Sequence, residues 1–269
     1  MKNLVALSLL LSIAVVSCKK DKTSKDDSTI INTEIVAETQ SFQIDSVRVK
    51  DSLKIDKNLT LGFESNLLVF PGLKDKALLD SIYAPKQIRL TDYSKANLSE
   101  AIHKKKTVYY DEQKASLKEY TPEFAQNWFN NGDMKLFSKD NDFLTVQYTG
   151  DGYTGGAHGY YYENYKVFDL KNNKSVQLSD VVSNTDSSLW KNILMDNFLK
   201  NDLEKGQAEM ILVKDIPLND NFYFDKEFLY FLYNQYEITA YAAGTVLIKI
   251  PLSDIKPLLK KEFIKRQGL

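Results

Sequence analysis

The chain has 269 residues, of which 43% are hydrophobic and 26% are charged, so it is long enough to build one or two hydrophobic cores. Its 35 basic and 36 acidic residues leave a formal net charge of −1, which excludes the strongly basic surface that nucleic acids attract. A single cysteine excludes a disulfide within the chain, so the folded part must be stable through its core alone.

Residues 1–17 have the pattern of a signal peptide, because Lys2 is followed by an apolar run that is too short to span a membrane, which takes about 20 apolar residues. The run ends with a branched residue, a small residue and Cys18 in the order of a lipobox, whose cysteine thiol receives diacylglycerol. A plain secretory signal with an incidental cysteine is the alternative. We expect an exported protein that the lipid on Cys18 anchors in the cell envelope, on the periplasmic or surface side of the outer membrane.

The residues after the cysteine are first polar and charged, then have strand-like and finally helical spacing of apolar residues. Residues 18–33 are almost entirely polar and charged, so they predict a flexible tether that cannot bury enough surface to fold. From about residue 34 apolar and polar residues alternate, which is typical of half-buried strands. Helical spacing follows at residues 74–83 and from Ser94 to about residue 118. Residues 34–130 are therefore expected to form an N-terminal α+β lobe.

The remaining residues, 131–269, are expected to form a second α+β lobe. The run Asn130-Asn131-Gly132-Asp133 near its start is a strong turn signal. Asp186 or Ser187 can cap a helix, and a short terminal helix is expected to start at residues 251–254. The predicted strands are residues 134–137, 143–149, 160–170, 222–224, 228–233 and 245–250. Strands and helices do not alternate regularly, so we expect an α+β fold with mixed or antiparallel sheets, packed helices and two lobes.

A glycine-rich run from Tyr148 to Gly159 is the most distinctive segment, and its five glycines allow backbone angles that are closed to other residues. His158 could be a catalytic base or a metal ligand, because imidazole titrates near neutral pH. One imidazole with scattered carboxylates such as Asp151 lacks the two or three nitrogen or sulfur ligands that zinc usually has. We expect no metal and no cofactor, and a structural role for His158, with ligand contact and catalysis as alternatives.

Tyrosine is abundant, with 16 in the chain, many of them near the glycine-rich run and again between residues 223 and 241. Alternation along a strand places Tyr160 and Tyr162 on one face. Exposed tyrosines supply rigid contact area and a hydroxyl group, which suits recognition of a protein or a sugar. Tyrosines that only pack at the margin of a sheet are the alternative.

Three runs together resemble the RsiV/PdaC-like extracellular domain family. They are Tyr-Thr-Gly-Gly-Ala-His-Gly at residues 153–159, Val-Gln-Leu-Ser-Asp-Val-Val at residues 176–182, and Tyr-Asn-Gln-Tyr-Glu-Ile-Thr-Ala-Tyr-Ala-Ala-Gly at residues 233–244. The resemblance covers most of the chain from about residue 40. It implies recognition in the cell envelope, because one family member is an anti-sigma factor whose outer domain recognises lysozyme and another carries the domain beside a peptidoglycan deacetylase. Ala240 stands where the family often has proline.

The sequence therefore predicts a lipid-anchored binding module rather than an enzyme, with a lysozyme-like protein or a peptidoglycan or other glycan as its ligand. An envelope hydrolase that uses His158 with Asp151, and a structural lipoprotein without a small ligand, remain as alternatives. The predicted ligand-binding residues are Tyr153, Gly155, Gly156, His158, Tyr160, Tyr162, Tyr236 and Tyr241.

Overall fold

Alternating apolar residues build two β-sheets in the computed structural model, which describes residues 42–118, 122–202 and 206–269. The predicted signal peptide, Cys18 and the tether lie outside the described residues. Residues 42–269 make one compact unit.

The larger sheet has the strand order β1-β2-β3-β4-β5-β6, in which β2 and β3 are parallel and all other neighbours are antiparallel. The smaller sheet is antiparallel with the order β7-β8-β9. The predicted α+β class with mixed and antiparallel sheets is therefore confirmed. The strands are β1 (Asp45–Lys54), β2 (Leu59–Val69), β3 (Gln126–Asp140), β4 (Phe143–Tyr153), β5 (Tyr160–Asp169), β6 (Lys174–Ser175), β7 (Phe222–Phe224), β8 (Phe228–Tyr233) and β9 (Val246–Pro251).

The helices are α1 (Lys76–Tyr83), α2 (Lys95–Ser116), α3 (Leu178–Val181), α4 (Ser187–Asn201) and α5 (Lys261–Gln267). Side chains of Asp75, Ser94 and Asp186 accept hydrogen bonds from backbone N–H groups in the first turns of α1, α2 and α4, which otherwise lack partners. No helix among the described residues is long and apolar enough to cross a membrane.

The predicted terminal helix at residues 251–254 is wrong in its start. Turns and a short 3-10 segment, Lys256–Leu258, occupy this region, and α5 begins only at Lys261. A helix that started at residue 252 would hold Pro257 in its interior, where the missing N–H and the ring break the helical hydrogen-bond pattern.

The predicted turn at residues 130–133 is also wrong, because these residues lie inside β3 and pair on both sides. Asn130 is opposite Phe63 of β2 and opposite Gly152 of β4. Ladder hydrogen bonds to two neighbouring strands outweigh the local turn preference of asparagine, glycine and aspartate. The predicted lobe boundary falls within this strand, and the division into two lobes stays a prediction.

Two hydrophobic clusters cover the two faces of the larger sheet. The first contains residues of β2, α1, α2 and β4, and Tyr148 donates a hydrogen bond from its buried hydroxyl to the carbonyl of Ile82. The second contains α4, α5 and the smaller sheet, with Trp190 and Phe231 in ring contact. Strand β5 serves both, because Phe168 belongs to the first cluster and Val167 to the second.

Candidate functional site

The glycine-rich run forms the end of the β4–β5 hairpin. Gly152 is opposite Tyr160, and residues 154–159 make the connection. Gly155 has a φ of +88°, and a Cβ there would lie 2.7 Å from the Trp128 ring. The neighbouring Gly156 is exposed, with its nearest potential Cβ contact at 3.9 Å. Gly155 is thus required by conformation and packing, whereas Gly156 is not.

The exposed residues His158 and Tyr236 and the half-buried Tyr241 meet beside this hairpin in a group that we call the tip patch. The ring centroids of His158 and Tyr241 are 4.3 Å apart, those of Tyr236 and Tyr241 are 5.7 Å apart, and those of His158 and Tyr236 are 6.4 Å apart. The Tyr241 hydroxyl donates a hydrogen bond to the carbonyl of Gly159 at 3.2 Å. Two predicted segments that are distant in sequence therefore form one surface.

Tyr236 is the most unusual residue of the tip patch. Its side chain is exposed, with a relative accessibility of 59%, and its φ is +68°. A left-handed backbone is rare for a tyrosine and disfavoured by its Cβ. A tight turn holds it there, because the N–H of Tyr236 donates to the carbonyl of Thr239 and the N–H of Glu237 donates to the carbonyl of Asn234.

The third resemblance run, residues 233–244, is attached to β5 through Asn234. Its side-chain oxygen accepts a hydrogen bond from the N–H of Glu163 at 2.8 Å. Asn221 adds to the same edge, since it accepts from the N–H of Tyr165 at 2.7 Å and donates to the carbonyl of Glu163 at 2.8 Å. Asparagine side chains thus replace part of a missing strand beside β5 and fix the position of the tip patch.

His158 is oriented by its own loop. Its Nδ1 lies 2.8 Å from the carbonyl oxygen of Gly159, and because a carbonyl only accepts, Nδ1 carries the proton. Asp151, the predicted partner of His158 in the hydrolase alternative, instead accepts a hydrogen bond from Asn131 at 3.2 Å. Over residues 42–118, 122–202 and 206–269 no group of three or more histidine, cysteine or acidic residues could hold a metal ion.

The remaining predicted tyrosines do not join the tip patch. Tyr153 is half-buried and packs against the first hydrophobic cluster. Tyr160 and Tyr162 lie on one face of β5, and their rings cover Gly152 and Gly150 on β4 so closely that a Cβ would come within 2.6 Å and 2.4 Å of them. Only glycine leaves room for these rings.

Tyr160 and Tyr162 face a groove with a volume of about 860 Å³ between α2 and the strands β2, β3 and β5. Polar groups that no sequence pattern indicated line this groove. Three glutamates, three lysines and one arginine are among the lining residues. We call it the α2 groove, and the residues that define it are Lys86, Lys105, Tyr109, Asn131, Tyr160 and Tyr162.

Lys86 is the least expected of these residues, with a relative accessibility of only 8%. Its ammonium donates a hydrogen bond to the carbonyl of Thr149 at 2.7 Å and lies 5.7 Å from the centre of the Tyr162 ring. Burial lowers its pKa to about 8, although Asp133 favours the charged form. No sequence pattern indicated this lysine, because burial of a single charge leaves no periodic signal.

Tyr109 and Tyr110 place two buried hydroxyl groups that have no hydrogen-bond partner among the described residues. The relative accessibilities are 6% and 7%. Tyr109 lines the α2 groove, whereas Tyr110 does not. Tyr109 occupied an apolar position of the helical spacing, so the sequence indicated its burial but not its unpaired hydroxyl.

Part of the chain matches a known protein family. Residues 167–253 match the family described as "Protein of unknown function (DUF3298)". The DUF3298 match runs from the end of β5 to just beyond β9 and includes Tyr236 and Tyr241. The more specific resemblance to RsiV/PdaC-like domains stays a prediction. No curated protein matches the sequence.

Two solved structures share the fold. A DUF3298 family member from Bacteroides fragilis NCTC 9343 has a TM-score of 0.63 at 22% identity, with 84% of this chain and 97% of that chain covered. A DUF3298 family protein from Pseudomonas aeruginosa PAO1 has a TM-score of 0.54 at 17% identity, with 83% and 96% covered. At these identities the likeness shows the fold alone.

Proposed function

We propose that the protein is a lipid-anchored binding module of the cell envelope that recognises a partner protein through the tip patch. The observation that carries the proposal is Tyr236, an exposed aromatic side chain on a left-handed backbone. Such a conformation costs about 1–3 kcal/mol and occurs often at functional sites. The Tyr236 side chain is largely exposed, so its burial offsets little of this cost, and contact with a ligand supplies a reason for it.

The composition and geometry of the tip patch favour a protein over a sugar. Its three rings are tilted by 33° to 36° to one another, so they do not form one flat platform on which a pyranose ring could stack. Tyrosine is enriched at the centres of protein interfaces, where charged residues are depleted. The resemblance to RsiV/PdaC-like domains supports lysozyme-like proteins as the first partners to test.

Binding of a soluble form, residues 28–269, to immobilised lysozymes and to peptidoglycan sacculi tests the proposal. This form keeps the whole compact unit. We expect saturable binding to a lysozyme, and at least tenfold weaker binding after Tyr236→Ala or Tyr241→Ala, because aromatic hot spots contribute about 2 kcal/mol or more.

Phe124→Ala is the matched control, because Phe124 is an exposed aromatic outside the tip patch, with a relative accessibility of 68%. It should leave binding unchanged. Tyr236→Ala and Phe124→Ala should keep the melting temperature of the unsubstituted protein, whereas Tyr241→Ala should lower it slightly because the hydrogen bond to Gly159 is lost. Binding to sacculi alone would replace the protein partner by a glycan. Equal binding by the Tyr236 and Tyr241 variants would reject the tip patch as the contact surface.

The anchor is proposed from the sequence, since Cys18 lies outside the described residues. We expect mature protein isolated from the native host to begin at Cys18 with diacylglycerol on its thiol, measured by intact-mass spectrometry, and to sediment with membranes. Cys18→Ser should move it to the soluble envelope fraction. An unmodified Cys18 in the native protein would contradict this assignment.

A further inference from the structure

The α2 groove contains three features that neither the tip patch nor the core explains. They are a buried cation, a buried hydroxyl without a partner among the described residues, and two aromatic rings that lie over glycines of the neighbouring strand. A concave site with a few convergent polar groups among apolar walls is the usual form of a small-molecule site.

The ammonium of Lys86 supplies the charge. Thr149 is its one hydrogen-bond acceptor in the described part of the chain, so two of its three donors remain for a ligand. A buried ammonium without a carboxylate in contact is expensive, and an anion that reaches it gains a charge-assisted hydrogen bond. Gly132, whose Cβ would lie 3.2 Å from the Lys86 Nζ, keeps space beside the ammonium.

Tyr109 supplies a second polar group, its hydroxyl, to the α2 groove. Its hydroxyl is buried and has no partner within the described ranges, yet its side chain lines the groove. Nearly all buried polar groups in proteins are hydrogen-bonded, so an exception at the floor of a groove points to an atom that a ligand provides.

Tyr160 and Tyr162 supply flat surfaces. One face of each ring covers a glycine of β4, and both side chains line the groove. Because a tyrosine side chain has only two torsion angles, these rings lose little conformational freedom when an apolar face of a ligand packs on them.

The charged side chains that line the groove favour a ligand with a single negative charge. Lys86, Arg89, Lys104 and Lys105 line it, but so do Glu64, Glu100 and Glu112. Glu64 is already paired with Lys50 at 3.1 Å and with Arg48, whereas Glu100 and Glu112 have no ion pair among the described residues. The four cations and three carboxylates give the lining a net charge of +1, which one carboxylate of a ligand balances. Glu100 and Glu112 can accept hydrogen bonds from hydroxyl groups of the ligand.

We propose that the α2 groove binds an acidic sugar, a pyranose that carries one carboxylate, with the carboxylate at Lys86, a ring oxygen or hydroxyl at Tyr109, and the sugar face against Tyr160 and Tyr162. This site is separate from the tip patch and does not depend on the function proposed for it. A uronic acid and a muramic acid share the required chemistry, and the experiment distinguishes them.

The test measures affinity by titration calorimetry with the soluble form, using two matched pairs of sugars. Glucuronic acid is compared with glucose, and N-acetylmuramic acid with N-acetylglucosamine, so that the members of each pair differ by their carboxylate-bearing group. We expect the acid of at least one pair to bind at least tenfold more tightly than its neutral counterpart. Absence of binding by both acids, or equal affinities within both pairs, would overturn the proposal.

Variants then assign the groups. Lys86→Met should weaken binding of the acid at least tenfold and leave the neutral sugar unaffected. Tyr109→Phe should weaken binding about fivefold through loss of one hydrogen bond, whereas the matched control Tyr110→Phe, which removes an equally unpaired hydroxyl away from the groove, should not. Unchanged affinity in the Lys86 and Tyr109 variants would exclude the groove. The Tyr236→Ala variant should bind the sugar normally, which separates this outcome from failure of the tip patch.

Discussion

At the scale of single residues, burial sets the charge state of Lys86 and makes it a source of instability. Its pKa is about 8 in the folded protein against 10.5 in a solvated chain, so the folded state holds this proton less tightly than the unfolded state. The charged lysine therefore lowers the free energy of unfolding below pH 8, and this effect disappears as the pH rises from 8 to 10.5.

Lys86→Met should raise the free energy of unfolding by about 2 kcal/mol at pH 7, because it removes a buried charge and keeps an apolar stem. The gain is smaller than the full pKa shift implies, since the hydrogen bond to Thr149 is lost as well. Urea unfolding at pH 7 and at pH 10.5 measures it, and the difference between variant and unsubstituted protein should shrink at the higher pH. A variant less stable at pH 7 would show that Lys86 contributes net stability.

Gly155 and Gly156 offer a matched pair within one loop. Gly155→Ala should lower the free energy of unfolding by about 2 kcal/mol, because it combines a φ of +88° with a contact of 2.7 Å to the Trp128 ring. Gly156→Ala should change it by less than about 0.5 kcal/mol, because its Cβ meets no atom closer than 3.9 Å. Thermal melts of both variants decide this, and equal losses would mean that the loop rearranges around either methyl group.

Residue types and spacing identified His158, Tyr236 and Tyr241 as candidate residues, but they did not indicate that these side chains lie together. His158 and Tyr241 were named because of their chemistry and their resemblance runs, and the structure brings their rings to 4.3 Å. No local sequence feature indicates which residues of distant segments lie together in the fold. The separation of Tyr160 from the tip patch and the existence of the α2 groove therefore could not be predicted.

At the scale of elements, the part of the β5 edge that does not pair with β6 is bonded by side chains instead of a strand. Asn221 is buried, with a relative accessibility of 8%, and satisfies the N–H of Tyr165 and the carbonyl of Glu163 at once. It thereby joins β7 to the larger sheet without a continuous ladder between them.

Asn221→Ala should lower the free energy of unfolding by about 2–3 kcal/mol, since it leaves two backbone groups without partners in a buried place. Asn234→Ala, which removes one hydrogen bond at a half-buried position, should cost about 1 kcal/mol. Chemical unfolding of both variants measures the two losses. A reversed order would show that water replaces the Asn221 contacts.

The last helix is attached through a buried ion pair between Arg266 of α5 and Asp169 of β5. The Arg266 guanidinium donates to both carboxylate oxygens, one at 2.9 Å, and Asn172 donates as well. Burial disfavours the charged carboxylate, but the hydrogen bonds from Arg266 and Asn172 outweigh it and lower the pKa of Asp169 to about 2.

Because this pKa lies below its unfolded value of 3.8, Asp169 stabilises the fold above about pH 4 and loses this effect as the pH falls to about 2. Asp169→Asn should therefore be less stable than the unsubstituted protein by about 2 kcal/mol at pH 7, with the gap closing on acidification. Unfolding curves from pH 7 to pH 2 test this. Asp196→Asn, an exposed site on α4, should show no such gap.

Elements whose signals are local were predicted well, and those set by distant pairing were not. Capping side chains and apolar spacing placed the start of α2 at Ser94 and that of α4 at Asp186 or Ser187, and the structure has Ser94 and Asp186 as the caps. Strand β3 was predicted only at residues 134–137, because its first half is extended through pairing with β2 and β4 and not through its own composition.

At the scale of the whole molecule, β2 has β3 as one of its two neighbours, although the predicted lobe boundary after residue 130 would divide β3. A fragment of residues 42–118 lacks β3 and β4, so the apolar face of β2 and the buried sides of α1 and α2 lose much of their packing. We expect no cooperative thermal transition by circular dichroism for this fragment, whereas residues 42–269 should unfold cooperatively. A cooperative transition would establish residues 42–118 as an independently folding unit.

The parallel pairing of β2 with β3 also bears on how quickly the chain can fold. Leu59 pairs with Gln126, and the intervening chain contains both α1 and α2, whereas β3, β4 and β5 follow one another as hairpins. Closing a long loop is entropically unfavourable before its contacts form, so the hairpins can assemble first and the β2–β3 junction later. During synthesis from the N-terminus, the β2 edge of the β1–β2 hairpin stays unpaired until β3 has been made, so we expect formation of the β2–β3 junction to be the slow step in folding.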